Sequence, residues 1–102
     1  VKDLVEGYIK IAEHESRLHG NSEAFNFGYG EPVSVLEVVN LIRISMGRDD
    51  LVPRILDNVV GEIRDQYLSA DKAKSWLGWD PKYRLENGMK ETIAWYREYF
   101  SS

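Results

Sequence analysis

The sequence contains no cysteine, which excludes disulfides and thiolate-bound metals. It has no apolar run of membrane-spanning length and no signal-peptide pattern. Lys and Arg never cluster, and the net charge is −4. Phosphate-backbone binding rests on clustered positive charge, so a nucleic-acid surface is disfavoured. Only three prolines occur, and there is no linker, internal repeat or low-complexity stretch. What is present is ordinary for a globular chain, with 43% hydrophobic and 29% charged residues. Its 102 residues suffice for one small domain, 1–102, with a single core. The simplest compartment is cytoplasmic. The chain begins at Val1 without a methionine and runs straight into a helical pattern, which suggests a piece of a longer protein.

Periodicity predicts four helices. Leu4, Val5, Tyr8, Ile9, Ile11 and Ala12 form an apolar stripe between Val1 and about Glu15, with Asp3 as a cap or a first-turn residue. Ser34-Val35-Leu36-Glu37 is a capping box. The helix behind it is expected to bury Leu36, Val39, Ile42 and Met46 and to stop at Gly47. Ser69 caps a third helix carrying Ala70, Ala73, Trp76 and Leu77, ended by Gly78 and Pro81. The last helix runs from about Leu85 to Phe100, with Leu85, Met89, Ile93, Tyr96 and Phe100 inward. Gly88 inside it costs about 1 kcal/mol relative to alanine, which a close helix contact would explain. Ala24 to Phe27 alternates before Gly28 and reads as a short strand, as does Val52 to Leu56; Gln66 to Leu68 is a third extended candidate. The expected class is therefore α/β: a small mixed domain of about four helices and two or three short strands.

Residue chemistry marks no catalytic centre. A dinucleotide pyrophosphate needs a glycine-rich turn at a helix N-terminus. In Gly28-Tyr29-Gly30 the third glycine of G-x-G-x-x-G would fall at Val33, so the fingerprint fails. His14 and His19 have no ligand pattern around them, and metal binding is not expected. The late aromatics Trp76, Trp79, Trp95, Tyr96, Tyr99 and Phe100 are read as core before they are read as a base-stacking platform. The most suggestive stretch is Arg54 to Asp65. An arginine on such a loop can pair bidentately with a diphosphate; equally, Arg64 can form a surface ion pair with Glu62 or Asp65.

Five short motifs then occur in one order. They are Val1-Lys2-Asp3-Leu4-Val5; Phe25-Asn26-Phe27-Gly28-Tyr29-Gly30 with Ser34-Val35; Gly61-Glu62-Ile63 leading to Ser69-Ala70-Asp71-Lys72-Ala73; Leu77-Gly78-Trp79-Asp80-Pro81; and Leu85-Glu86-Asn87-Gly88-Met89 with Thr92-Ile93-Ala94-Trp95-Tyr96. Together they resemble the C-terminal, substrate-side part of extended short-chain dehydrogenases, the NAD-dependent nucleotide-sugar epimerases and dehydratases. Residues 61–69 look closest to the CDP-glucose 4,6-dehydratase branch; a GDP-mannose 4,6-dehydratase-like or UDP-sugar 4-epimerase-like parent stays open.

The resemblance implies a C-terminal portion of that fold without its Rossmann core. In the parent, an N-terminal domain would hold NAD and a catalytic Tyr-x-x-x-Lys pair, and the smaller domain would close over a nucleotide diphosphate-sugar. No Tyr-x-x-x-Lys pair occurs here: Ala12, Val33, Asp71, Asn87 and Phe100 stand four places after Tyr8, Tyr29, Tyr67, Tyr83 and Tyr96. The implied fragment therefore binds no cofactor, is inactive alone, and touches substrate through Arg64, Arg54 and Asn26. The family's usual diphosphate arginine falls at Val59. The parent would be a homodimer joined through its Rossmann half, and the alternative is a freestanding binding domain derived from the family.

Overall fold

A computed structural model describes residues 1–18, 22–58, 60–61, 63 and 65–102. They form five helices: α1 Lys2–Glu13, α2 Glu15–Leu18, α3 Val35–Ser45, α4 Asp71–Leu77 and α5 Leu85–Ser101. No described helix is long and apolar enough to cross a membrane. The chain divides into two compact units. Unit 1 comprises Val1–Glu31 and Tyr67–Tyr83, and unit 2 comprises Pro32–Gln66 and Arg84–Ser102.

Helix α3 starts and stops, and α4 stops, where sequence rules place them, but the cap position of α4 is Ala70 and not the expected Ser69. The capping box of α3 forms in full: the Ser34 hydroxyl accepts from the Glu37 amide at 3.1 Å, and the Glu37 carboxylate accepts from the Ser34 amide at 2.7 Å. Those hydrogen bonds, after a small opposing desolvation, hold the Glu37 carboxyl below its ordinary value. Helix α4 closes on Gly78 in the left-handed region at φ 62°, with the Trp79 amide reaching back to the Ala73 carbonyl. Ser69 sits one residue ahead of the cap position Ala70, and its hydroxyl accepts from the Asp71 amide at 3.3 Å.

The expected α/β class is not what forms: among the described residues there is no strand. A strand needs a ladder partner to satisfy its amides and carbonyls, and segments 24–27, 52–56 and 66–68 have none. Phe25 and Phe27 do alternate as predicted, but their side chains, not their backbone, hold the segment. Phe25 meets Trp76 edge-on at 6.2 Å, and Phe27 meets Trp79 edge-on at 5.0 Å. Alternation reports a common face; it does not supply a partner.

Unit 1 holds the buried residues. Ala70, Ala73, Leu77 and Trp79 form a core against which Ile11, Phe25 and Phe27 pack. Helix α1 turns a different face to it than its periodicity suggested. Leu4, Val5, Tyr8 and Ile9 are exposed, whereas Asp3, Gly7 and Ile11 face inward. Gly7 explains this, because a Cβ there would lie 2.7 Å from the Phe27 ring. Only a bare backbone lets that ring sit against the helix.

In unit 2, α3 packs on α5, and none of the residues of either helix is buried. The Arg97 guanidinium donates to the Met46 carbonyl at 3.1 Å. The inward stripe expected for α5 is only partly inward: Met89 and Ile93 are half-buried, while Tyr96 and Phe100 are exposed. Trp95 stacks on Tyr99 at 5.2 Å and Tyr96 on Phe100 at 5.9 Å, so the late aromatics pack on each other along the helix surface. The contact expected at Gly88 is absent, since a Cβ there meets nothing within 4 Å.

Candidate functional site

The polar groups of unit 1 converge on Asp3 and on a neighbouring cleft. Asp3 stands in the first turn of α1, where a negative charge suits the helix dipole. Its carboxylate accepts from the backbone amides of Lys82 and Tyr83, each at 2.9 Å, and from the Tyr29 hydroxyl at 3.3 Å. Its backbone carbonyl accepts from the Trp79 indole at 2.8 Å. Partial burial pushes the carboxyl up, but the Lys82 and Tyr83 amides and the Tyr29 hydroxyl outweigh it, so the group sits below the usual aspartate value. One turn on, Glu6 takes the Lys82 ammonium at 3.3 Å.

The cleft has a volume of about 400 Å³ and is lined by Gly28, Tyr29, Gly30, Tyr67, Ser69 and Lys74 among others. Its shape follows from local sequence. Gly28 permits close approach of the chain, since a Cβ there would be 3.3 Å from the Leu68 carbonyl oxygen. Gly30 takes φ 76°, which reverses the chain and leaves the Tyr29 phenol within reach of Asp3. On the far side of α4, the Lys72 ammonium sits over the Phe25 and Trp76 rings at 4.9 and 4.8 Å and pairs with Glu23 at 2.6 Å. That lysine is held by structural contacts and takes no part in the cleft.

The Gly28-Tyr29-Gly30 turn does not fit a dinucleotide. Three residues, Glu31, Pro32 and Val33, separate Gly30 from the Ser34 cap that opens α3, so the turn does not run directly into a helix N-terminus. The space above Gly28 is occupied by the chain at Leu68 instead of being open to a pyrophosphate. Among the described residues no group of three His, Asp or Glu side chains is placed to hold a metal. His14 closes α1, its Nδ1 2.8 Å from the Lys10 carbonyl; His19 lies outside the described residues.

Of the substrate residues expected from sequence, Arg64 lies outside the described residues, as do Val59 and Glu62. Arg54 is exposed in unit 2, two residues before the equally exposed Leu56. Asn26 is exposed in unit 1 between two phenylalanines that point into the core. The residues sequence reasoning missed are Asp3, as a hub rather than a cap, and Tyr29. Their signal was available only as a long-range pairing, which no local pattern carries.

Comparison with known proteins then identifies the relatives. The chain is 33% identical over 100 residues to the UDP-glucose 4-epimerase of Halalkalibacterium halodurans, a match covering 97% of this chain and 29% of that protein. It is 35% identical over 96 residues to the UDP-glucose 4-epimerase of Bacillus subtilis, covering 93% of this chain and 27% of the relative. For the enzyme of Azospirillum brasilense the identity is 31% over 98 residues, covering 95% and 28%. No family model matches the chain, and no solved structure does. These relatives are epimerases, not the dehydratases that residues 61–69 suggested. The chain spans under a third of the length of the curated relatives it matches, and those relatives are nucleotide-sugar epimerases.

Proposed function

We propose that this chain is the substrate-side portion of an NAD-dependent nucleotide-sugar 4-epimerase. The observation that carries the reading is the match itself, which runs through nearly the whole chain and through several epimerases of the same name. The ordered motifs from Val1 to Tyr96 agree with it. On this reading NAD and the proton-relay tyrosine belong to the remainder of the protein, and these residues contribute binding and orientation of the nucleotide diphosphate-sugar. Binding energy from the remote diphosphate is then used to hold the reacting sugar in place. Arg64 and Arg54 are assigned to the diphosphate and Asn26 to the sugar-nucleotide side of its turn. The failure of Gly28-Tyr29-Gly30 to present a helix N-terminus favours this division over a cofactor role for the chain.

The reading is tested by titrating the isotopically labelled 102-residue chain with UDP-glucose and, separately, with NAD. Amide shifts at Asn26, Arg54 and Arg64 that saturate with UDP-glucose support it. Absence of any shift up to roughly 10 mM, a concentration at which a ligand worth about 3 kcal/mol would be half bound, removes the substrate role. Tight NAD binding would equally contradict it. If Arg64 grips two phosphate oxygens, Arg64→Ala should weaken binding about tenfold or more, and Arg64→Lys should not restore it, because an ammonium lacks the planar fork.

A further inference from the structure

We propose that Asp3 is an acid-released latch: ionised, it holds the Lys82–Tyr83 end of the connector after α4, and the Tyr29 hydroxyl, against α1, and protonated, it loosens its hold on them. The proposal stands apart from the epimerase reading and rests on the geometry of one side chain. Segment Trp79–Tyr83 follows α4 and contains Pro81, which has no amide to donate. The amides of Lys82 and Tyr83 both donate to Asp3, one to each carboxylate oxygen, at 2.9 Å. The oxygen serving Tyr83 also accepts the Tyr29 hydroxyl at 3.3 Å. Three donors on two oxygens is an arrangement that suits the anion, whose lone pairs are all acceptors. A neutral carboxyl gives up one acceptor site to its own proton and is a weaker acceptor at the oxygen that carries it. The remaining hydrogen bonds also lose their charge assistance.

Tyr83 is the last residue of unit 1, so the latch ties down the end of that unit's chain. Tyr29 lines the cleft, so the same protonation weakens the Asp3 contact of a phenol in its wall. The other ionisable groups facing this place are the chain terminus, Lys2 and Glu6 on α1, Tyr29 on its turn, and Asp80, Lys82 and Tyr83 on the connector. Lys2 lies 5.5 Å over the Tyr83 ring and Lys82 pairs with Glu6, while Asp80 is 3.9 Å from Lys74. These contacts add to the closed state without accepting from the two amides. Because the folded carboxyl sits below its ordinary value of 3.8, the latch is fully closed above about pH 4 and opens as pH falls through the lower folded value.

The experiment is amide exchange on the 102-residue chain between pH 6 and pH 2.5, each rate corrected for its intrinsic acid and base dependence. Protection at Lys82 and Tyr83 should fall about tenfold or more as the pH drops, while Ala73 and Leu77 in the core keep theirs. Asp3→Asn should abolish that pH dependence, and Glu6→Gln and Asp80→Asn should leave it in place. Protection that is independent of pH in the wild type, or lost in step with Ala73 and Leu77, overturns the proposal, as does an unchanged profile in Asp3→Asn. Should Asp3→Asn fail to fold, the wild type decides alone. The Asp3 carboxyl carbon and the Lys82 and Tyr83 amide protons must titrate with one shared midpoint, and separate midpoints refute the latch.

Discussion

Unit 1 and unit 2 are built from nearly the same amounts of helix and apolar side chain, yet only unit 1 buries any of its described residues. The difference is one of small residues. Unit 1 sets Gly7 where Phe27 arrives and packs Ala70 and Ala73 into one core with Trp79, so that its aromatics close on small residues. Unit 2 sets long side chains against one another along α3 and α5, while its helical glycine, Gly88, faces open space and Ala94 is exposed. A hydrophobic stripe thus contributes a core only where its neighbours are small enough to be approached.

The sharpest way to break this comparison is to truncate the same kind of side chain in each unit. Leu77 is 1% exposed, and Leu77→Ala should destabilise by about 3 kcal/mol, a transfer loss plus a cavity. Ile55 is 74% exposed, and Ile55→Ala should change stability by less than about 0.5 kcal/mol. Urea unfolding of both variants checks the pair; equal effects would dissolve the distinction between the units.

A smaller effect separates the two helical glycines. Gly7→Ala gains helix propensity but drives a methyl into Phe27 and should cost about 1–2 kcal/mol net. Gly88→Ala gains the same propensity into open space and should stabilise by up to about 1 kcal/mol. Thermal midpoints moving in opposite directions are the expected result.

Ser34→Ala should cost about 1 kcal/mol by removing the acceptor for the Glu37 amide. Glu37 has its carboxyl held low by Ser34, so its half of the box is complete above the ordinary glutamate value and is lost as pH falls through the lower folded one. Circular dichroism of α3 in the variant and the wild type, from pH 7 to pH 3, should show the smaller pH response in the variant.

These contrasts also mark how far the sequence could be read. The boundaries of α3 and the end of α4 were legible because caps and stop glycines are local: Ser34, Glu37, Gly47 and Gly78 act within a turn of themselves. The inward face of α1 was legible only in part: of the stripe Leu4, Val5, Tyr8, Ile9, Ile11 and Ala12, Ile11 alone packs on the core, and Asp3 and Gly7, which carry no apolar signal, share its face. The Phe27 ring, twenty residues on from Gly7, selects that face. Strands were over-read for a related reason, since alternation at Phe25 and Phe27 has the same signature whether the backbone pairs or only the rings do. Of the candidate site, the glycine turn at Gly28 was visible and its partner Leu68 was not. The likeness to nucleotide-sugar epimerases needed no geometry, as it rested on ordered motifs that survive wherever the chain is matched.

The placement of the three tryptophans gives the molecule its own optical probes. Trp79 is buried with its indole donating to the Asp3 carbonyl, Trp76 lies half open beside the Lys72 ammonium, and Trp95 is exposed and stacked on Tyr99. A collisional quencher should therefore reach Trp95 first and Trp79 last. Emission that shifts to the blue as quencher is added would report unit 1 alone. With Trp76 and Trp95 replaced by phenylalanine, the colour of the remaining band becomes a direct gauge of how dry the ground beneath α1 stays.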